Sequence, residues 1–205
     1  IGTYIDKKLN LPIATNVLFN DMLDKILCYD TKEQTFIRAE EAARDLKNEF
    51  VILKGSFNPY HSGHEELVIK HNVNVLMMST RNFDPNKLVN NNLESWVKRI
   101  NMLTKESSER YIFITDDAMF LANQSLMNKR FGSSNIKFVV GEDIADKIPE
   151  EQRKSLNLLE EPRSEESISS TKLRQLPCDC GNSYLDCTKY LTGCDKHPEQ
   201  KLIYE

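Results

Sequence analysis

Short apolar runs alternate with amphipathic segments through the middle of this chain. The apolar runs predict four strands, at residues 50–53, 73–78, 111–114 and 136–140. The amphipathic segments predict three helices, at residues 63–71, 91–106 and 117–130. Strands that alternate with helices favour parallel pairing through right-handed crossovers. We therefore predict an α/β fold, with a doubly wound, Rossmann-like parallel sheet.

The segments on either side of this alternation have a different pattern. Residues 1–48 carry apolar side chains near a 3.6-residue period and predict a helical N-terminal appendage, or the end of a neighbouring domain. Residues 149–167 are rich in Glu, Arg and Ser and predict a surface connection without a further strand. We place the main domain at 49–175 and a Cys-rich tail at 176–205. Because the chain begins with Ile rather than Met, we expect it to be a trimmed fragment.

Composition and charge narrow the range of partners. Hydrophobic residues make up 40% of the 205 residues, which is enough for a sizeable core. The formal net charge is −4, from 27 basic and 31 acidic residues, so nothing globally basic points to nucleic acid or to an anionic membrane. No apolar run approaches the roughly 20 residues of a membrane helix, and no secretory signal opens the chain. We expect a cytoplasmic protein that binds neither nucleic acid nor membrane, and a homo-oligomer is left open.

One ten-residue stretch, G-S-F-N-P-Y-H-S-G-H at residues 55–64, stands between the first predicted strand and the first predicted helix. Gly55 lets the backbone approach a ligand, and Gly63 clears space where the helix begins, with free N–H groups that favour an anion. His61 and His64 are three residues apart and share one helix face, which suits a phosphate whose charge grows during reaction. A plain Gly/Pro turn is the alternative, and so is half of a metal site, although no third ligand has a convincing spacing.

The same stretch resembles the G-x-F-x-P-x-H-x-G-H signature of the nucleotidylyltransferase superfamily. Residues 168–174, I-S-S-T-K-L-R, look like the superfamily's I-S-S-T-x-x-R motif. Residues 139–143, V-V-G-E-D, resemble its strand that ends in G-x-D. The three blocks occur in the expected order. The Asn-Pro form of the first block is most similar to that of nicotinamide or nicotinate mononucleotide adenylyltransferases.

The resemblance implies transfer of a nucleotidyl group from ATP or CTP to the phosphate of a small acceptor, with release of pyrophosphate. It assigns catalytic roles to His61, His64 and Arg174, which would stabilise charge on the triphosphate. Mg²⁺ would bridge triphosphate oxygens and take few protein ligands. Because an acceptor phosphate is already a nucleophile, positioning and charge stabilisation are enough for such a reaction.

The resemblance also implies a set of binding residues. Those assigned to the nucleotide are Gly55, Ser56, Phe57, Asn58, Gly63, Gly141, Asp143, Ser169, Ser170 and Thr171. Ser169, Ser170 and Thr171 have a reading of their own as the N-cap of a helix, which is also the alternative to a phosphate site. The candidates for acceptor binding are Lys87, Trp96 and Arg99, and for each of them a surface or packing role is the alternative.

Two other functions stay open on the sequence. R-S-E at residues 163–165 resembles the block that precedes the second motif in cytidylyltransferases, which use CTP and a phosphorylated small molecule. A nucleotide-binding regulatory module that has lost catalysis is the other alternative. The presence of His61, His64 and Arg174 argues against that loss.

Four cysteines crowd the tail, Cys178, Cys180, Cys187 and Cys194. Four thiolates could hold one structural Zn²⁺, although the usual C-x2-C pairs are missing. Free thiols and disulfides are the alternatives. A cytoplasmic location favours free thiols over disulfides.

Overall fold

A computed structural model describes residues 26–57, 60–79, 93–132 and 134–162, with the backbone alone for residues 93–98. The strands are β1 (Leu27–Asp30), β2 (Thr35–Ile37), β3 (Glu49–Gly55), β4 (Val75–Ser79), β5 (Tyr111–Thr115), β6 (Asn135–Gly141) and β7 (Leu158–Glu161). The helices are α1 (Ala39–Asp45), α2 (Ser62–His71), α3 (Leu93–Glu106), α4 (Phe120–Phe131), α5 (Glu142–Ala145) and α6 (Glu150–Arg153).

The strands of this part of the chain form one sheet in the order β2-β1-β5-β4-β3-β6-β7. The five strands from β5 to β7 in that order run parallel, whereas β1 pairs antiparallel with both β2 and β5. From β3 the chain moves outward to β4 and β5, then returns to the other side of β3 for β6 and β7. This confirms the Rossmann-like α/β fold, and it places a reversal of strand order between β3 and β6, where such sheets bind ligands.

Each central strand buries both faces, which explains the continuous apolar runs in the sequence. One face carries Leu53, Leu76 and Ile112, which pack with Val68 of α2 and Leu103 of α3. The opposite face carries side chains that pack with α1 and α4. They are Ile52, Met77, Phe113 and Phe138 of the strands and Ala42 and Met127 of the helices. The sheet is therefore a middle layer between two helical layers, and its carboxyl edge stays available for a site.

The prediction that residues 1–48 are helical is wrong for β1 and β2. Ile26 and Cys28 lie in one core and Leu27 and Tyr29 in the other, which is the two-residue alternation of a strand. The positions of Ile26 and Leu27 also fit the 3.6-residue period of a helix, but their burial on opposite sides of the sheet is that of extended chain. Residues 1–25 lie outside the described residues, and the domain boundaries stay predictions.

The prediction that residues 149–167 contain no strand is also wrong. β7 pairs parallel with β6, with Leu159 opposite Val139 and Glu161 opposite Gly141. Two leucines are its only large apolar residues, so an edge strand of this kind gives almost no alternating signal. Among the described helices, none combines the length and apolar character needed to cross a bilayer.

Candidate active site

The predicted phosphate-binding stretch lies where the sequence places it, between the carboxyl end of β3 and the first turn of α2. β3 ends at Gly55, and α2 begins at Ser62 with His61 as its N-cap. This position borders the crevice between β3 and β6. A ligand in the crevice would meet the start of α2, whose dipole favours an anion. The predicted free N–H groups are not found there, because those of Gly63, His64 and Glu65 bond Nδ1 or the carbonyl oxygen of His61.

His61 and His64 cap α2 in a reciprocal arrangement. Nδ1 of His61 accepts a hydrogen bond from the N–H of Gly63 at 3.1 Å. Nδ1 of His64 accepts one from the N–H of His61, also at 3.1 Å. The two rings stack with 3.8 Å between their centroids, which confirms that they share one helix face.

This capping fixes the tautomer of both rings. A neutral imidazole carries its proton on one nitrogen, and here Nδ1 of each ring is used as an acceptor. The proton of each neutral ring is therefore assigned to Nε2, which makes Nε2–H a donor. His61 is buried and His64 is half-buried, so His64 is the more accessible of the two donors.

Two aromatic rings pack against the ring of His64. The Phe57 ring meets it edge-on at 5.1 Å, and the Tyr60 ring stacks on it at 5.3 Å. Phe57 is 1% exposed and has a positive φ of 48°, so its side chain turns back into the core while its backbone follows the loop. A Cβ on Gly55 would lie 3.3 Å from the Phe57 ring, so glycine leaves room for this turn. Packed aromatic side chains thus hold the histidine pair in position.

Arg99 joins the ends of two neighbouring strands. It is fully buried in α3, and its Nη1 donates to the carbonyl oxygen of Ser56 at 3.0 Å and to that of Ser79 at 2.9 Å. Burial lowers the pKa of its guanidinium to about 10, so the group remains charged at neutral pH. The structure places this predicted acceptor-binding residue beneath the loop after β3, where it holds backbone carbonyls.

Gly141 and Asp143 lie at the carboxyl end of β6, across the crevice from β3. Asp143 is in the first turn of α5 and folds back over the strand end. A Cβ on Gly141 would lie 2.6 Å from Oδ1 of Asp143, so a larger residue at this position would displace the carboxylate. The carboxylate is thereby held beside the predicted nucleotide site.

Several predicted residues lie outside the described residues. They are Asn58, Lys87, Arg174, Ser169, Ser170, Thr171, Cys178, Cys180, Cys187 and Cys194, and the side chain of Trp96 is also outside them. The convergence of Arg174 on the histidines, the acceptor roles of Lys87 and Trp96, and the zinc site in the tail therefore stay predictions. Within the described ranges, no group of three or more His, Cys, Asp or Glu could hold a metal ion.

Lys54, which immediately precedes the motif, was not predicted from the sequence to belong to the site. Its Nζ donates to the carbonyl oxygen of Asp117 at 3.1 Å and to Oδ1 of Asn123, and it lies 5.0 Å above the ring of Phe120. Desolvation lowers the pKa of Lys54 to about 7, although the nearby charge of Asp117 opposes the shift. A charged residue at the end of an otherwise apolar strand was the available signal.

A second group of polar side chains, which was also not predicted from the sequence, lies around the hydroxyl of Tyr60. The Tyr60 hydroxyl donates to Oε2 of Glu65, and the Ser108 hydroxyl contacts Oε1 of the same carboxylate at 3.3 Å. Desolvation and the charge of Glu65 raise the pKa of Glu109 to about 7. These contacts join the start of α2 to the loop before β5.

The chain has weak structural likenesses to solved proteins, two of which are described below. No protein-family model matches the chain, and no curated protein matches its sequence. The chain is similar to a nicotinic acid mononucleotide adenylyltransferase of Plasmodium falciparum complexed with APC, at 17% identity and a TM-score of 0.40, over 62% of this chain and 82% of that one. It is also similar to a Vibrio parahaemolyticus protein named as a nicotinate-nucleotide adenylyltransferase, at 16% identity and a TM-score of 0.41, over 62% and 78%. At this level of likeness, function is argued from the chain's own residues.

Proposed function

We propose that this chain transfers a nucleotidyl group, adenylyl in the first instance, from a nucleoside triphosphate to the phosphate of a small acceptor, and releases pyrophosphate. The observation that carries this proposal is the histidine pair at the start of α2, stacked at 3.8 Å beside the crevice between β3 and β6. The G-S-F-N-P-Y-H-S-G-H block that contains the pair supplies the link to this chemistry.

In the proposed reaction, an oxygen of the acceptor phosphate attacks the α-phosphorus of the triphosphate. The bond between that phosphorus and the bridging oxygen of the β-phosphate breaks, and pyrophosphate leaves with the bonding electrons. Negative charge grows on the oxygens around the α-phosphorus and on the leaving group. Nε2–H of His64 would donate to those oxygens, and the positive end of the α2 dipole would add to the attraction.

The rest of the site would keep these donors still. Arg99 bonds the carbonyl of Ser56 and so holds the loop that leads to the histidines. Phe57 and Tyr60 pack against the His64 ring. Donors that are oriented before the substrate arrives need no reorganisation during the reaction, which is the main source of catalysis when no covalent intermediate forms.

Mg²⁺ is proposed as the companion of the triphosphate. The described residues hold no cluster of three metal-binding side chains, so the ion would take most of its ligands from phosphate oxygens and water. When bound, it would neutralise charge on the triphosphate. Arg174, Ser169, Ser170 and Thr171 are proposed to hold the β- and γ-phosphates from the other side.

The acceptor is proposed to be nicotinate or nicotinamide mononucleotide, which would place the chain in NAD biosynthesis. The Asn-Pro form of the first motif supports this choice. The parallel strand β7 beside β6 supplies a strand between the G-x-D block and the second motif, a place where the sequence alone predicted none.

Pyrophosphate release tests the proposal. Purified protein with Mg²⁺ is supplied with ATP or CTP and one acceptor at a time: nicotinate mononucleotide, nicotinamide mononucleotide, phosphocholine, glycerol phosphate or phosphopantetheine. We expect release with ATP and a mononucleotide, together with a dinucleotide product. Release with CTP and another acceptor would select the cytidylyltransferase alternative, and ATP binding without release for any pair would select the inactive module.

A further inference from the structure

Lys54 occupies an unusual position on the sheet. Residues alternate in direction along β3, so its side chain lies on the same face as Phe50 and Ile52, towards α4. It is the last residue on that face before the loop that carries the histidines. The half-buried side chain runs towards the carboxyl end of β5, two strands away in the sheet.

A closed network of neutral groups holds the ammonium group of Lys54. Nζ donates to the Asp117 carbonyl and to Oδ1 of Asn123. Nδ2 of Asn123 in turn contacts Oγ1 of Thr115 at 3.3 Å and the Asp117 carbonyl at 3.2 Å. Asn123 and Thr115 are both fully buried. The side-chain nitrogen of Lys54 is therefore fixed in place at the ends of β3 and β5.

No carboxylate among the described residues forms an ion pair with Lys54, since its bonds go to a carbonyl and an amide oxygen. Desolvation makes the charged form of Lys54 costly to the fold, although the nearby carboxylate of Asp117 offsets part of that cost. A neutral side chain of similar length would avoid this cost. The charge is therefore expected to serve a ligand, because it adds little to the stability of the fold.

Ser79 gives a second and independent indication of a ligand in this place. It ends β4, is 3% exposed and lies opposite Thr115 on β5. Its hydroxyl oxygen is buried and has no hydrogen-bond partner within the described part of the chain. By strand alternation it lies on the face of Val75 and Met77, the same face as Lys54. A buried hydroxyl that lacks a partner is ready to bond a ligand atom.

The sheet order assigns this polar group to the acceptor side. The histidine pair and Gly141–Asp143 flank the crevice between β3 and β6, where the triphosphate is proposed to lie. The second substrate must lie next to the α-phosphorus. On the other side of β3 the sheet continues with β4 and then β5. Ser79 and Thr115 end these two strands, and Asp117 lies in the loop after β5.

We infer that Lys54 is a specificity-determining residue that selects an anionic acceptor over the ends of β4 and β5, with the Ser79 hydroxyl as a hydrogen-bonding partner of that acceptor. This inference rests on the proposed function. The ammonium form of Lys54 would attract an anionic acceptor, and an anion at this place would in turn favour that form over the neutral amine. The phosphate of a nucleoside monophosphate has the matching charge.

Two neutral replacements separate the charge of Lys54 from its hydrogen bonds. Lys54→Met removes both, whereas Lys54→Gln keeps an N–H donor for the Asp117 carbonyl. Binding of nicotinate mononucleotide and of ATP is measured by calorimetry, without turnover. We expect both variants to weaken mononucleotide binding by about tenfold or more, with ATP binding changed by less than about threefold. Lys70→Met, which removes an exposed lysine on α2, is the matched control and should change neither.

Stability distinguishes this role from a structural one. Because the charge is costly to bury, we expect Lys54→Met to melt at the wild-type temperature or above it. Loss of stability with unchanged mononucleotide binding would overturn the inference, and so would wild-type affinity in Lys54→Gln or weakened ATP binding alone. If the wild-type protein releases pyrophosphate with a mononucleotide and these variants bind it normally, this inference fails alone. If the wild-type protein releases pyrophosphate with no acceptor, the proposed function fails.

Discussion

The charged side chains at the two ends of β5 have different kinds of partner. At the amino end, Arg110 pairs with the buried carboxylate of Asp30 at 3.0 Å. At the carboxyl end, Lys54 bonds only a carbonyl and an amide oxygen among the described residues. The same strand thus joins an end where two opposite charges form an ion pair to an end where, among the described residues, Lys54 forms none.

The charged groups at the two ends have different roles. Burial alone would raise the pKa of Asp30, but hydrogen bonds from Arg110 and from the N–H groups of Glu33 and Lys32 hold that pKa below its usual value. Such a pair stabilises the fold and offers nothing to a ligand. Lys54 and Arg99 instead donate to backbone carbonyls at the end of the sheet where the triphosphate and its acceptor are proposed to bind.

The largest effect should come from substitution of His64, which should lower kcat. Asn can accept the His61 N–H as Nδ1 does, but it lacks a donor at the position of Nε2. We therefore expect His64→Asn to fold normally and to lose about 100- to 1000-fold in kcat for pyrophosphate release, because a single oriented donor contributes that much.

Two further variants sharpen this result. His64→Gln restores an N–H near the position of Nε2 and should retain more activity than His64→Asn. His71→Ala removes a histidine from the other end of α2, where it pairs with Glu161, and should leave kcat near the wild-type value. Near-normal turnover in His64→Asn would contradict the role of His64.

Substitution of Asp30 at the amino end of β5 should have the opposite effect: it should lower stability and leave activity unchanged. Asp30→Ala leaves the N–H groups of Lys32 and Glu33 without their acceptor and removes the partner of Arg110. We expect a loss of about 2–4 kcal/mol in the free energy of unfolding, measured by urea denaturation. Activity per folded molecule should not change.

Asp146→Ala is the matched control for that variant. Its carboxylate is 70% exposed and lies 3.7 Å from Arg153, so its loss should cost less than about 0.5 kcal/mol. Equal losses in the two variants would mean that the buried pair contributes no more than an exposed one.

The pH dependence of stability should also differ, with opposite signs at the two ends. The pKa of Glu109, before β5, is raised from 4.5 to about 7, so the folded state holds its proton more tightly. Its contribution to stability is complete below pH 4.5 and is lost as pH rises to about 7. The pKa of Lys54 is lowered from 10.5 to about 7, so its cost to the fold is relieved as pH rises from about 7 to 10.5.

Urea denaturation across pH measures both effects. Subtracting the Glu109→Gln curve from that of the wild type should give a difference that falls between pH 4.5 and 7. Subtracting the Lys54→Met curve should give one that rises between pH 7 and 10.5. A flat difference in either window would show that the group has its ordinary pKa in the folded protein.

Local patterns predicted the parts of the molecule that depend on near neighbours in sequence. The central strands and helices follow from apolar periodicity, and all four predicted strands occur. β1 was missed because a four-residue strand gives little signal, and the spacing of Ile26 and Leu27 also fits a helix. β7 was missed because its burial at the sheet edge is only partial.

The sequence by itself determined the histidine site, since the bonds that form it join residues two or three positions apart. Capping of this kind depends on the local backbone, which Gly55 and the helix start set in advance. Only the tertiary structure decided which charges are cancelled. Lys54 meets a carbonyl 63 residues away and Arg99 one 43 residues away, and both contacts depend on the order of strands in the sheet. Periodicity indicates which residues are buried, whereas sheet topology sets which distant groups they meet.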